Sequence, residues 1–269
     1  MGALLGDLRF ALRMLRRSPG VTAAAILALA LGIGANTAIF SVVDGVLLRP
    51  LPFPDSQSLL AVHTGSTRSG FFNGEFSYPK YQDLVAQART LESVGAWIDG
   101  DINLTGAGQP TRVLIRVATA SLLPTLRVQP VRGRNFLPEE MLRGRTHVVL
   151  LDHGLWQRQF GGAEDVIGRS IQLDGVPHQI IGVLPRGFHL ARPADLWLPL
   201  DTGDETIHVR NMHFLDVVAR TRPGVTEAAI GADLDAIARY ETETYPDLVP
   251  PAFGFAIRAR PYIDDVIGD

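Results

Sequence analysis

From Val21 to Val43 the chain carries no charged residue; ten of these side chains are strongly apolar and seven are alanine. A helix over this stretch would reach about 34 Å, enough for a hydrocarbon core of about 30 Å. A cleaved signal peptide has a shorter apolar core, and a buried helix of a soluble protein rarely runs this far without a charge. A transmembrane helix over 21–43 is the reading that fits. Ahead of it, Leu4, Leu8, Leu12 and Leu15 fall on one helical face and Arg9, Arg13, Arg16 and Arg17 on another. That pattern predicts an amphipathic interfacial helix over 1–20, broken at Ser18-Pro19-Gly20.

After the rod the period changes. The prolines of Arg49-Pro50-Leu51-Pro52-Phe53-Pro54 predict an extended exit. Strands are expected at Leu59–Thr64, Ser93–Ile98, Arg112–Ala118, Thr146–Leu151, Leu196–Leu200, His213–Ala219 and Phe253–Arg258, with a polar loop at Gly65–Gly74. Ile171–Leu173 and Val176–Val183, joined by Asp174-Gly175, predict a tight primed hairpin. Pro79–Ala88 reads as a helix with Tyr81, Leu84, Val85 and Ala88 on one face. A shorter one runs through Leu155, Trp156 and Phe160 to Gly161-Gly162. Thr226 should cap a third, with Ile230, Leu234, Ile237 and Ala238 as its buried stripe. Strand–helix–strand thus occurs twice, around a strand-rich middle. The pattern predicts an α+β body of two subdomains.

Charge orients the chain. Four arginines and one aspartate precede the rod, whereas 21 basic and 27 acidic side chains follow it. By the positive-inside rule the N-terminus is cytoplasmic and the body, residues 44–269, lies outside. A net charge of −3 argues against a nucleic-acid partner, and the absence of cysteine excludes disulfides and thiolate metal sites. Within the rod, Ala24, Ala28 and Gly32 are spaced by four, as are Gly34 and Ala38, a spacing of small residues that lets a second helix approach closely in lipid. Asn36 is a polar side chain in apolar surroundings that one helix alone satisfies poorly. We therefore read Ala28, Gly32 and Asn36 as helix-packing positions.

No enzymatic constellation emerges, and no cofactor is expected. Lys80, the single lysine, lies outside any G-x-x-x-x-G-K-[ST] loop. His208 and His213 are five apart and read as flanking a strand start rather than a metal site. Glu139-Glu140 and Asp264-Asp265 read as solvated turns, and the body's arginines as ordinary solvated surface. Trp156 and Trp197 read as core residues in preference to a binding groove. Asn103-Leu104-Thr105 matches a glycosylation sequon.

Longer stretches carry a family likeness. Asp7-Leu8-Arg9 through Arg16-Arg17-Ser18-Pro19-Gly20, Leu31-Gly32-Ile33-Gly34-Ala35-Asn36-Thr37 and Leu47-Leu48-Arg49-Pro50 resemble the opening of MacB-like, FtsX-type ABC transporter permeases, in particular the acidobacterial duplicated orphan permeases. Gly133-Arg134-Asn135-Phe136, Trp156 through Gly162, Leu173-Asp174-Gly175 and Pro223-Gly224-Val225-Thr226 extend the resemblance through the body.

The resemblance implies an inner-membrane permease subunit with one transmembrane helix and a periplasmic core. A porter-like subdomain (55–130 and 206–269) would carry a β-rich insertion (131–205). It also implies a cytoplasmic nucleotide-binding ATPase subunit that drives export or mechanotransmission, a second copy or second permease half, and a periplasmic adaptor. In such permeases three further membrane helices follow the core. A sequence stopping at Asp269 is then expected to be a fragment or a truncated gene. The alternative is a single-span membrane-anchored periplasmic binding or interaction module without transport activity.

Overall fold

The computed structural model describes residues 10, 13–14, 16–17, 19–43, 53–105, 110–190 and 192–267. The interfacial helix expected over 1–20 and the extended exit at 49–52 lie largely outside the described residues. Two compact units divide the chain, Met1–Pro50 and Leu51–Asp269.

The first unit contains helix α1 (Pro19–Val43). Pro19 and Gly20, expected to break a helix, are themselves helical. Proline is tolerated in a first turn because its missing N–H would have had no partner there. Every described side chain of α1 is exposed except that of Thr22, which is half-buried. An exposed helix whose every face is apolar belongs in an apolar solvent.

The second unit is built from β1 (Leu59–Ser66), β2 (Phe71–Gly74), α2 (Tyr78–Gln87), β3 (Leu91–Thr105), β4 (Thr111–Ala118), α3 (Leu122–Leu126), β5 (Arg132–Gly133) and β6 (Val148–Leu151). There follow α4 (His153–Phe160), β7 (Ser170–Leu173), β8 (Val176–Val183), β9 (Leu196–Pro199), β10 (Asp216–Thr221), α5 (Glu227–Thr244), β11 (Phe255–Pro261) and α6 (Tyr262–Ile267). The strands run β11-β1-β10-β3-β4-β9-β6-β8-β5.

Strand alternation gives the β11-β1-β10-β3 portion two buried faces. Val62, Val94, Ala96, Val217, Ala219 and Ile257 pack against Tyr81 and Leu84 of α2 and Ile230, Leu234 and Ile237 of α5. Ala61, Trp97 and Val218 point the other way, onto Leu122, Leu123 and Leu126 of α3 and Tyr262 of α6. Caps fix both long helices: the Ser77 side chain accepts from the Lys80 amide and Thr226 from the Ala229 amide. Such a cap is worth about 1 kcal/mol.

Beyond β3 the ladder closes on itself. β3 pairs with β4, β4 with β9, β9 with β6, β6 with β8, β8 with β7, and β7 again with β3. This six-strand circuit surrounds Leu104, Val113, Val149, Leu151, Ile171, Ile180 and Leu196. Closing a sheet removes the unpaired edges that invite association. Asn103 and Asp174 fasten the seam: the Asn103 amide nitrogen Nδ2 donates to Asp174 Oδ1 at 2.7 Å, and the Asp174 N–H donates to the Asn103 carbonyl at 2.9 Å. At the β7–β8 turn Asp174 has φ 46° and Gly175 φ 81°, the double positive-φ geometry of the predicted primed turn.

Several expectations change. The loop placed at 65–74 contains β2, paired to the end of β1; Phe71 and Phe72 carry a strand only four residues long. β3 is 15 residues rather than six, because Asp99 and Asp101, which break the apolar pattern, find arginines on β4: Asp99 stands opposite Arg116, and Asp101, opposite Leu114, pairs diagonally with Arg112. Opposite charges facing across a ladder stabilise it. α3 and α6 have no counterpart in the predicted elements: one holds a proline and both are too short for helical periodicity to register.

Candidate functional site: apolar helix and lysine groove

α1 is long and apolar enough to cross a membrane by length and composition. Ala28, Gly32 and Asn36 fall on one slowly drifting stripe of it, one turn apart, and all three are exposed. Gly32 has open space around its Cα, so a neighbouring backbone would meet no side chain there.

In the second unit a cavity of about 630 Å³ opens between β1, β2, the first turn of α2 and the segment joining α5 to β11. Its walls are mostly apolar: Phe71 from β2, Leu248 and Phe253 from the connecting segment, Phe255 from β11. β1 and β2 approach closely enough that a Cβ on Gly65 would sit 2.2 Å from the Phe71 carbonyl oxygen; glycine there sets the position of Phe71. Lys80 closes the cavity's inner end, 3% exposed. Its Nζ donates to His213 Nε2 at 2.8 Å and lies 4.9 Å from the centre of the Phe255 ring. Burial pushes the Lys80 ammonium below its ordinary pKa, with Glu241 pulling the other way. Burial, with Lys80 alongside, holds the His213 imidazole down as well.

An ionic cluster lies on the same side of the sheet. Arg210 Nη1 donates to Asp83 at 2.7 Å and to both oxygens of Glu241 at 2.8 and 2.9 Å, and its guanidinium stacks 3.7 Å from the centre of the Tyr245 ring. Glu241 is 1% exposed. Burial raises its pKa to about 7 against the pull of Arg210. The cluster ties α2, the segment before β10, and α5 into one polar seam.

Sequence patterning marked neither Lys80 nor Arg210 as part of a site. Lysine spacing held the only signal: one lysine in the whole chain, set among Tyr78, Pro79 and Tyr81 at the start of an amphipathic helix. His208 and His213 do not converge, since His208 Nε2 contacts the Thr202 carbonyl at 2.9 Å. Trp156 and Trp197 are core residues, 7% and 2% exposed.

Three surface readings need correction. Glu140 is buried and takes two bonds from Arg134 at 2.6 and 2.9 Å plus the Leu137 amide. Asp265 is held by His63 at 2.7 Å and by Arg260. Arg116 and Arg220 are 0% and 1% exposed. Arg220 donates to the carbonyls of Thr125, Asp55 and Pro54 and to Ser58 Oγ. It thereby locks the first turn of the body to α3. Arginine tolerates such sites because every donor of its planar fork can be matched.

The two ends of the body lie side by side. Phe53, at its start, packs its ring 6.1 Å from that of Tyr262, the first residue of α6; α6 also packs on β1 and on the turn Ser56–Ser58. Both rings are buried.

Similar folds are known. A domain assigned to a permease of Porphyromonas gingivalis superposes with a TM-score of 0.60 at 17% identity, covering 79% of this chain and 92% of that one. The periplasmic region of MacB from Actinobacillus actinomycetemcomitans gives 0.56 at 13%, covering 79% and 93%. The extracellular domain of the noncanonic ABC-type transporter YknZ, from Gram-positive bacteria, gives 0.52 at 11%, covering 74% and 99%. No curated protein sequence matches significantly. The profile described as the MacB-like periplasmic core domain matches residues 22–237, four-fifths of the length and the greater part of both the apolar helix and the body. The chain belongs to the MacB-like periplasmic core domain family.

Proposed function

We propose that the chain is the N-terminal portion of a non-enzymatic permease subunit of an ABC-type export or mechanotransmission system. In this reading α1 spans the inner membrane with its N-terminus in the cytoplasm. The body stands in the periplasm, and a cytoplasmic nucleotide-binding ATPase subunit drives it.

The observation that carries the reading is the contact between Phe53 and Tyr262. A body whose beginning and end meet in one buried clasp is suited to insertion between membrane segments. Arg220 makes the same end stiff by gripping residues 54–58. Movement of a segment joined there would reach the sheet without being absorbed by a loose loop.

Within the body we assign 55–130 and 206–269 to a porter-like subdomain and 131–205 to a β-rich insertion. β3 and β4 contribute strands to both. Ala28, Gly32 and Asn36 serve as the surface for a second membrane helix, from another copy or another permease half.

Purification of the complete gene product from native membranes tests the function. An ATP-binding-cassette subunit should co-purify, with ATP hydrolysis that depends on it. Isolation without any nucleotide-binding subunit, from membranes in which the protein is functional, would favour the alternative of a single-span membrane-anchored binding module. The lysine-lined cavity is the feature that speaks for that alternative.

A further inference from the structure

We propose that the cavity closed by Lys80 is a binding site for a small amphiphilic monoanion: a compact apolar body, aromatic or short-chain, bearing one carboxylate. The proposal stands independently of the permease reading.

Three described cations in the second unit are as buried as Lys80 or nearly so, and all three meet carboxylates or several carbonyls. Arg116 meets the Asp99 carboxylate and the carbonyls of Leu190 and Arg192. Arg220 meets three carbonyls and a hydroxyl, and Arg210 two carboxylates. Lys80 differs. Among the described residues the one hydrogen-bond partner of its Nζ is the His213 ring nitrogen, and Nζ makes no ion pair. An ammonium has three N–H donors, so two are left, at the inner end of a cavity.

The rest of the cavity says what should accompany the negative charge. Phe71, Phe253 and Leu248 are 57%, 52% and 47% exposed around its mouth. Large apolar side chains gathered around one concavity mark a binding surface, whereas scattered ones do not. A volume of about 630 Å³ falls within the range of small-molecule sites. Glu75 stands exposed at the rim. Its charge disfavours dianions and polyphosphates, which leaves a single anionic group as the best match. A carboxylate seated at Nζ makes charge-assisted hydrogen bonds in a dry setting, where they are strongest. It also puts a negative charge in direct contact with an ammonium that otherwise feels Glu241 only at a distance.

Because Lys80 is the only lysine, it can be watched alone. The full chain, labelled with ε-¹⁵N-lysine and placed in lipid nanodiscs with unlabelled scaffold, gives one side-chain lysine signal. Naphthalene-2-carboxylate should move that signal saturably. In equilibrium dialysis against empty nanodiscs as blank, 2-naphthylmethanol should bind at least about tenfold more weakly. Lys80→Met should abolish the preference for acid over alcohol. The double change Phe71→Ser with Phe253→Ser, at exposed positions, should weaken acid binding about tenfold with Lys80 intact. If Lys80→Met does not fold, judged by circular dichroism, the double variant and the acid–alcohol comparison decide. A signal that stays fixed to millimolar acid overturns the proposal. So does equal binding of acid and alcohol by the native chain, or acid binding unaffected by the serine pair.

Discussion

Arg116 and Asp99 face each other directly across the β3–β4 ladder, and the guanidinium takes both carboxylate oxygens, Nε to Oδ1 at 2.6 Å and Nη2 to Oδ2 at 2.8 Å. The arginine is completely buried between the Trp97 and Trp197 rings, 5.4 and 5.1 Å from their centres, while the aspartate is one-third exposed. Arg116 also donates to the Leu190 carbonyl at 2.5 Å, so one side chain joins the ladder, two indoles and the loop before β9. Arg116→Ala leaves a carboxylate, a carbonyl and a cavity behind. It should cost about 3–5 kcal/mol, the range for breaking a buried pair. At this chain length that is a fall in melting temperature on the order of 10 °C. Asp99→Asn leaves the fully buried guanidinium without the carboxylate that faces it and should also cost several kcal/mol. A loss below about 1 kcal/mol for either variant, in thermal unfolding followed by circular dichroism, would contradict this reading.

The six-strand circuit should depend on its one primed turn. Gly175 sits at φ 81° with open space around it, so a side chain there meets strain without collision. Gly175→Val should destabilise by about 1–3 kcal/mol from the backbone alone. Gly175→Asn should recover much of that, since asparagine tolerates the left-handed region. Asp174→Ala, which removes the acceptor of Asn103 Nδ2, should loosen the seam. The expected sign is faster amide exchange at Leu104 and Leu173, which pair across it.

Much of this was legible in the sequence, and the exceptions share a cause. The Asp174-Gly175 hairpin, the Thr226 cap and the Ile230–Leu234–Ile237 stripe rest on local chemistry, which a linear pattern displays. A linear pattern cuts β3 short and places Arg116 and Arg220 on the surface because it equates charge with exposure. Each is buried by partners 17 to 166 positions away, which no local pattern encodes. Glu140 escapes the linear pattern even though its main partner, Arg134, is only six residues distant. The tight turn through Leu137 that joins them has no periodic signature. The Lys80 cavity was invisible for the same reason: its walls come from β2, α2 and the 248–255 segment.

If Ala28, Gly32 and Asn36 contact another membrane helix, Ala28→Leu and Gly32→Leu should separate the partners by steric bulk. Asn36→Leu should remove a hydrogen bond worth about 0.6–2 kcal/mol. The readout is cross-linking between single cysteines introduced at these positions in the complete protein, with any cysteine outside these 269 residues replaced by serine; these residues contain none. Cross-links that form equally at Leu27 or Leu31, on other faces of α1, would remove the assignment. So would an Asn36→Leu protein with assembly and activity intact.

The ionic seam should make stability depend on pH in a definite direction. The Glu241 carboxyl, raised to about 7 by burial, binds its proton more tightly in the fold than in the unfolded chain. Its ionisation therefore weighs against folding above about pH 7, and the penalty is relieved as pH falls toward the ordinary glutamate value of 4.5. Asp216, raised to about 6 by desolvation and by Glu75 and Asp99, acts in the same sense. His178 and His213, held down chiefly by burial, act in the opposite sense as they take up protons in acid. A single variant separates Glu241 from the rest. Glu241→Gln imitates the protonated carboxyl, so its melting temperature should approach that of the native protein only below about pH 4.5 and exceed it by a growing margin from there to pH 8. Asp83 remains to accept from Arg210 in that variant, so the guanidinium keeps a counter-charge. A variant less stable than the native protein at pH 8 would mean that the attraction between Arg210 and Glu241 outweighs the desolvation of the carboxylate. The seam would then hold α2 and α5 together as an ordinary ion pair.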